Sequence, residues 1–102
     1  MDILNKYVAR GRRTASRIWG DTAIVMLLPR GNVNTKENLF ELSKMGTHIW
    51  KLLEKKTKVR DVIDSIAKEK GIDSNSIQKE VITFIRKLVK DKIVDFLDRR
   101  ED

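Results

Sequence analysis

The sequence predicts an α+β domain: a winged helix-turn-helix with an N-terminal three-stranded antiparallel sheet, three helices and a short C-terminal strand. Three observations predict it. Runs rich in β-formers, separated by turn residues, fill the chain up to Leu42. Apolar stripes at helical spacing fill residues 43–90. Between them, the segment LFELSKMGTHIWKLL (residues 39–53) passes from strand to amphipathic helix through Ser43 alone, which leaves no loop to vary the angle between sheet and helices.

The elements follow in order. Residues 1–13 are polar and basic and read as an arm outside the domain, or a loosely attached first element. Residues 14–19 form a first strand. Gly20-Asp21 supplies a tight hairpin turn, because glycine accepts positive φ. Residues 22–28 are apolar on both faces, which predicts a central strand covered on both sides. Pro29-Arg30-Gly31-Asn32 breaks that strand, since proline has no N–H to donate to a ladder. Residues 36–42 return as the third strand. Ser43 is suited to N-cap the first helix, which carries Met45, Ile49, Leu52 and Leu53 at helical spacing with Trp50 beside them. Trp50 is expected to pack on the sheet, and Trp19 on the arm or a partner. A second helix starts near Thr57, carries Val59, Val62, Ile63, Ile66 and Ala67 on one face, and stops at Gly71. The third helix starts after Asp73 or Ser74 and runs to about Lys90, with the helix-turn-helix turn at residues 70–73. Residues 93–97 read as the wing. The domain is expected to span 14–97, with a charged tail at 98–102.

Composition narrows the function classes. The 102 residues suit one small domain with little room for a deep catalytic cleft. The chain has no cysteine, which excludes disulfides, zinc–thiolate sites and iron–sulfur clusters. The longest apolar run is residues 23–28, far short of the roughly 20 residues of a membrane span, and the N-terminus has no signal-peptide block. The protein therefore reads as cytoplasmic, with no membrane partner, cofactor or metal expected. The net charge is +7, and residues 1–20 carry four of those charges, with Lys6, Arg10, Arg12, Arg13 and Arg17 against Asp2. Such a balance steers acidic partners, although the lysines at 51–58 also read as ordinary solubilising charge. His48 is the sole histidine and reads as a surface or boundary residue, and no Gly-rich phosphate loop is present. An enzyme is not expected.

The third helix carries more apolar surface than a core needs. With Ile77 at the origin and about 100° per residue, Val81, Phe84, Ile85, Leu88, Val89 and Ile82 cover an arc of about 160°, against about 100° for a stripe that only faces a core. Either the sheet or the arm buries the Ile82–Val89 flank, or that flank lines an apolar groove open to a ligand. If the third strand is a sheet edge, an extended peptide can add to it as a further strand and place alternate side chains in that groove.

These segments resemble the PqqD-like peptide chaperones, also called RiPP recognition elements. Members typically show Leu-aromatic-x-Leu-Asn, Gly-x-x-Ile-Trp-x-Leu-Leu, Thr-Val-x-x-Val-hydrophobic, an Asp-capped helix with Val-x-x-Phe-hydrophobic-x-x-Leu, and a last short strand. The counterparts here are Leu39-Phe40-Glu41-Leu42-Ser43, Gly46-Thr47-His48-Ile49-Trp50-Lys51-Leu52-Leu53, Lys58-Val59-Arg60-Asp61-Val62-Ile63, Asp73 with Val81 to Leu88, and Ile93-Val94-Asp95-Phe96-Leu97. Ser43 stands where the family usually has Asn, and Lys92 where it has Gly. The resemblance implies a non-catalytic protein that binds the leader of a ribosomally made precursor peptide. It presents that leader to a modifying enzyme, such as a radical SAM enzyme or a leader peptidase or cyclase, in peptide natural-product (RiPP) biosynthesis. Carried over residue by residue, it implies a peptide-binding edge at Asn38, Leu39, Phe40, Glu41 and Leu42, facing Gln78, Ile82, Ile85, Arg86 and Val89.

Two other readings remain. As a winged-helix transcription regulator the chain would present Lys79, Thr83, Arg86, Lys87 and Lys90 to duplex DNA. That face holds one Arg and no Asn for base edges, and its lysines suit phosphates. An open strand edge can also pair two copies of the domain as a homodimer.

Overall fold

The computed structural model describes residues 3–28 and 39–97. Its strands are β1 (Tyr7–Arg10), β2 (Thr14–Trp19), β3 (Thr22–Leu27), β4 (Leu39–Glu41), β5 (Thr57–Lys58) and β6 (Val94–Leu97). Its helices are α1 (Lys44–Leu52), α2 (Val59–Lys70) and α3 (Ser74–Lys90), preceded by a 3-10 turn at Ile3–Asn5. The α+β class and the three helices agree with the sequence reading. The strands, however, form two three-stranded antiparallel sheets, β5-β1-β6 and β2-β3-β4.

The first sheet is the main correction. Residues expected to be an arm before Thr14 instead supply β1, the middle strand of that sheet. Tyr7 pairs with Lys58 and Leu97, and Arg10 with Val94. Val8 is 0% exposed and belongs to the core. Four residues are too few to show periodicity, and the surrounding charge hid them. Arg10 is no solvent cation either. Its Nε and Nη2 donate to the Trp50 carbonyl at 3.1 and 2.8 Å, and its guanidinium lies 4.5 Å from the Trp50 ring centroid. Desolvation lowers its pKa, and the Glu54 carboxylate opposes that shift.

In the second sheet Gly20 turns the β2–β3 hairpin with φ 58°. β3 is central, as expected, but its two faces are not equally covered. Ala23 and Val25 are buried beneath α1, whereas Met26 is exposed. Trp19, expected to pack on the arm or a partner, is 59% exposed. The third strand is described from Leu39 onward, and the expected 36–38 portion and the Pro29–Asn32 break lie outside the described residues.

The helices follow their end signals. Ser43 Oγ accepts the Gly46 N–H at 3.2 Å and caps α1. α2 ends on Gly71 at φ 70°, with the Ile72 N–H donating to the Ala67 carbonyl at 3.0 Å. This left-handed cap suits a residue without Cβ. α3 ends in the same way at Lys92, whose φ is 67°, with the Ile93 N–H donating to the Leu88 carbonyl at 2.9 Å. The turn thus keeps the left-handed geometry that a glycine would favour. Ile49, Trp50, Val62, Ile66, Ile77, Val81, Ile85 and Leu88 join both sheets in one core.

Candidate peptide-binding edge

Among the described residues, β4 pairs with β3 alone, so its other edge is open. The pairing decides which groups face that edge. The Leu42 N–H donates to the Ala23 carbonyl at 2.8 Å, which turns Leu42 and, two residues back, Phe40 toward β3. The N–H and C=O groups of Leu39 and Glu41 therefore point away from the sheet, because backbone groups alternate along an antiparallel strand. Side chains alternate perpendicular to this. Phe40 packs on the core, whereas Leu39 and Glu41 stand on the outer face, Leu39 at 57% exposure.

The end of this edge is anchored by the first turn of α1. Thr47 Oγ1 accepts the Ala23 N–H at 2.9 Å and donates to the Leu42 carbonyl at 3.4 Å. A Cβ on Gly46 would lie 3.1 Å from the Phe84 ring and 3.2 Å from Leu42 Cβ. The missing side chain thus lets α3 close onto the strand–helix junction. Trp50 Nε1 donates to Ser16 Oγ at 3.0 Å and seats α1 on β2. The expectation that Trp50 packs on the sheet holds.

The structure sorts the expected contact residues. Leu39, Phe40 and Glu41 occupy the open strand, and Leu42 is buried at its end. On α3, Ile82 and Val89 are half-buried against the core margin, Gln78 is half-buried and Arg86 exposed. Ile85 is corrected from groove to core, since at 1% exposure it presents no surface to a ligand. It sits at the centre of the wide apolar arc, which is why angle alone could not separate it from the flanks. Asn38 lies outside the described residues. An apolar depression of about 450 Å³ lies on the outer face of the second sheet, lined by Trp19, Ile24, Met26 and Leu39 among others. The sequence reading missed that face because it assumed β3 to be covered on both sides.

Charged clusters elsewhere have structural partners. His48 Nδ1 lies 2.6 Å from Glu69 Oε1 and its Nε2 3.2 Å from Ser65 Oγ, a clamp between α1 and α2. The sequence offered no sign of it, because only helix packing brings these residues together. The atoms resemble a Ser-His-carboxylate relay, but Ser65 lies within α2. Its N–H and that of its neighbour are committed to helical bonds and cannot bind an oxyanion. The lysine-rich residues 51–58 rim an open concavity of about 690 Å³ beside Tyr7, with Lys56 and Lys58 near its ring. Among the described residues no His/Asp/Glu group could hold a metal ion, and no helix is long and apolar enough to cross a membrane.

Comparison with known proteins agrees with this fold. Residues 23–94 match the family model of coenzyme PQQ synthesis protein D (PqqD). A solved structure described as TbiB1 in complex with the TbiA(beta) leader peptide superposes with TM-score 0.70 at 20% identity, covering 85% of this chain and 94% of that one. At that identity the likeness concerns the fold. No curated protein matches the chain.

Proposed function

The chain belongs to the PqqD family, and on that premise we propose that it binds the leader segment of a ribosomally synthesised precursor peptide without catalysing a reaction on it. One observation carries the reading. In a fold shared with a protein solved with its leader peptide, β4 offers an open edge whose Leu39 and Glu41 backbone groups face away from the sheet. An extended leader adds to that edge, and main-chain hydrogen bonds hold it. Its inward side chains pass beside Phe40 toward the Ile82–Val89 flank of α3. The bound leader is presented to a modifying enzyme, such as a radical SAM enzyme or a leader peptidase or cyclase, in the cytoplasm. The α2–turn–α3 run followed by β6 supports a winged helix-turn-helix description, with β6 as a wing paired to β1.

Calorimetric titration with the precursor encoded beside this protein, leader and core halves separately, tests the reading. The leader half should bind at about micromolar affinity or tighter, and the core half should not. Burial of one Leu-sized anchor contributes about 1.5–3 kcal/mol, so Ile82→Asp or Val89→Asp should weaken binding by roughly tenfold or more. Folded variants that bind the leader as the parent does would show that this flank is not the groove. Gel shift on duplex DNA tests the regulator reading, which requires binding that is tightest at low salt.

A further inference from the structure

The register of the second sheet carries information about the peptide itself. Opposed residues share a face, which sorts β2, β3 and β4 into three rows running toward the open edge. On the outer face Ala15, Met26 and Leu39 form one row, and Arg17, Ile24 and Glu41 the other. Between them, on the inner face, lie Ser16, Val25 and Phe40. The first outer row is apolar and ends on a largely exposed Leu39. The inner row ends on Phe40, which packs on the core. The second outer row ends on Glu41, an exposed carboxylate with no cation paired to it among the described residues. Arg17, two strands away across Ile24, has its guanidinium 5.8 Å from the Trp19 ring centroid instead.

From this we infer that the open edge selects a peptide strand with three consecutive residues of type apolar-apolar-basic, read in the order Leu39-Phe40-Glu41. The first apolar residue stands outward on Leu39 and Met26, and extends the apolar depression beside Trp19. The second stands inward beside Phe40. The lysine or arginine stands outward against Glu41. A parallel strand carries the triplet in the order written and an antiparallel strand carries it reversed, because opposed positions remain consecutive in both cases. Opposite charges directly across a ladder attract and like charges repel, so Glu41 also rejects acidic residues at its position. The specificity follows from two faces of the strand. An amphipathic peptide apolar on its inner face alone leaves Leu39 exposed.

This inference rests on leader binding at β4, and the two can fail separately. The full chain and its Glu41→Lys variant are each panned against a displayed library of short random peptides. Peptides enriched on the parent should carry the triplet, and those on Glu41→Lys should replace its basic residue by Asp or Glu. The best parent peptide, labelled for fluorescence polarisation, should lose roughly three- to tenfold in affinity when its basic residue becomes Glu. Glu41→Lys should restore that loss, and Glu41→Gln should abolish the preference in both directions. Glu41 is exposed on a strand edge, and circular dichroism checks that each variant is folded. Enriched peptides that need Ile82 and Val89 but show no charge preference would overturn the triplet and leave leader binding intact. If no peptide is enriched, or if binding ignores the charge at Glu41 as well as Ile82→Asp and Val89→Asp, the β4 reading fails with it.

Discussion

Replacing Thr47 by valine isolates one hydrogen bond at the junction that aims β4. Thr47 is 2% exposed, and its Oγ1 accepts the N–H of Ala23, itself fully buried. The Ala23 carbonyl already accepts from Leu42, so its N–H points to the same side of β3 and, among the described residues, bonds to this hydroxyl. Valine keeps the shape and removes the acceptor. A buried donor left unsatisfied costs about 1–3 kcal/mol, and the 3.4 Å bond to the Leu42 carbonyl adds little. For a domain of this size a loss of about 2 kcal/mol lowers Tm by roughly 8–15 °C. Thr47→Ser is the control. It keeps the hydroxyl and removes one methyl, at about 1 kcal/mol for lost burial and the small cavity left behind. Urea unfolding followed by tryptophan fluorescence should therefore rank parent above serine above valine. If valine equals the parent, or exceeds serine in stability, packing rather than the hydrogen bond fixes the junction and the reasoning is refuted.

Two further substitutions probe the parts that the structure revealed. Arg10→Met should destabilise the fold by about 1–2 kcal/mol, because two charge-assisted bonds to the Trp50 carbonyl and the ring contact outweigh the desolvation that methionine relieves. Arg10→Lys should not rescue it, since an ammonium lacks the planar fork. An unchanged unfolding midpoint in Arg10→Met would return residues 7–10 to the status of a dispensable arm. Lys92→Gly should raise stability by about 0.5–1 kcal/mol in thermal unfolding, because glycine accepts φ 67° without the Cβ clash that lysine carries. A neutral or destabilised variant would mean that the lysine side chain repays its own strain.

Much of the fold around the candidate site was legible because it depends on local signals. The Ser43 cap, the helical stripes and the Gly71 stop are each written within a few residues, and each appears in the structure where the sequence put it. The family resemblance pointed to residues 39–42 and the outer flank of α3, an assignment that the leader titration tests. What failed depended on pairing between distant segments. Tyr7–Arg10 becomes a strand only because β5 and β6, some 50 and 90 residues later, flank it. Ile85 and Ile82 lie three residues apart on one apolar arc, and only packing against Val81, Leu88 and the sheets makes one core and the other margin. His48 gained Ser65 and Glu69 in the same way, through the approach of two helices.

By itself the sequence determined the class of the domain, its three helices, the strand-to-helix junction at Ser43 and the family to which these belong. Capping, helical periodicity and turn chemistry act over a few residues, and their physics is complete within the segment that carries them. The tertiary structure alone decided that the basic segment Tyr7–Arg10 is the middle of a sheet and that Met26 on the outer face of β3 is exposed. It alone decided that Leu39 and Glu41 direct their backbone groups to an open edge. Those properties follow from register and from which surfaces meet, and register is set between strands rather than within one.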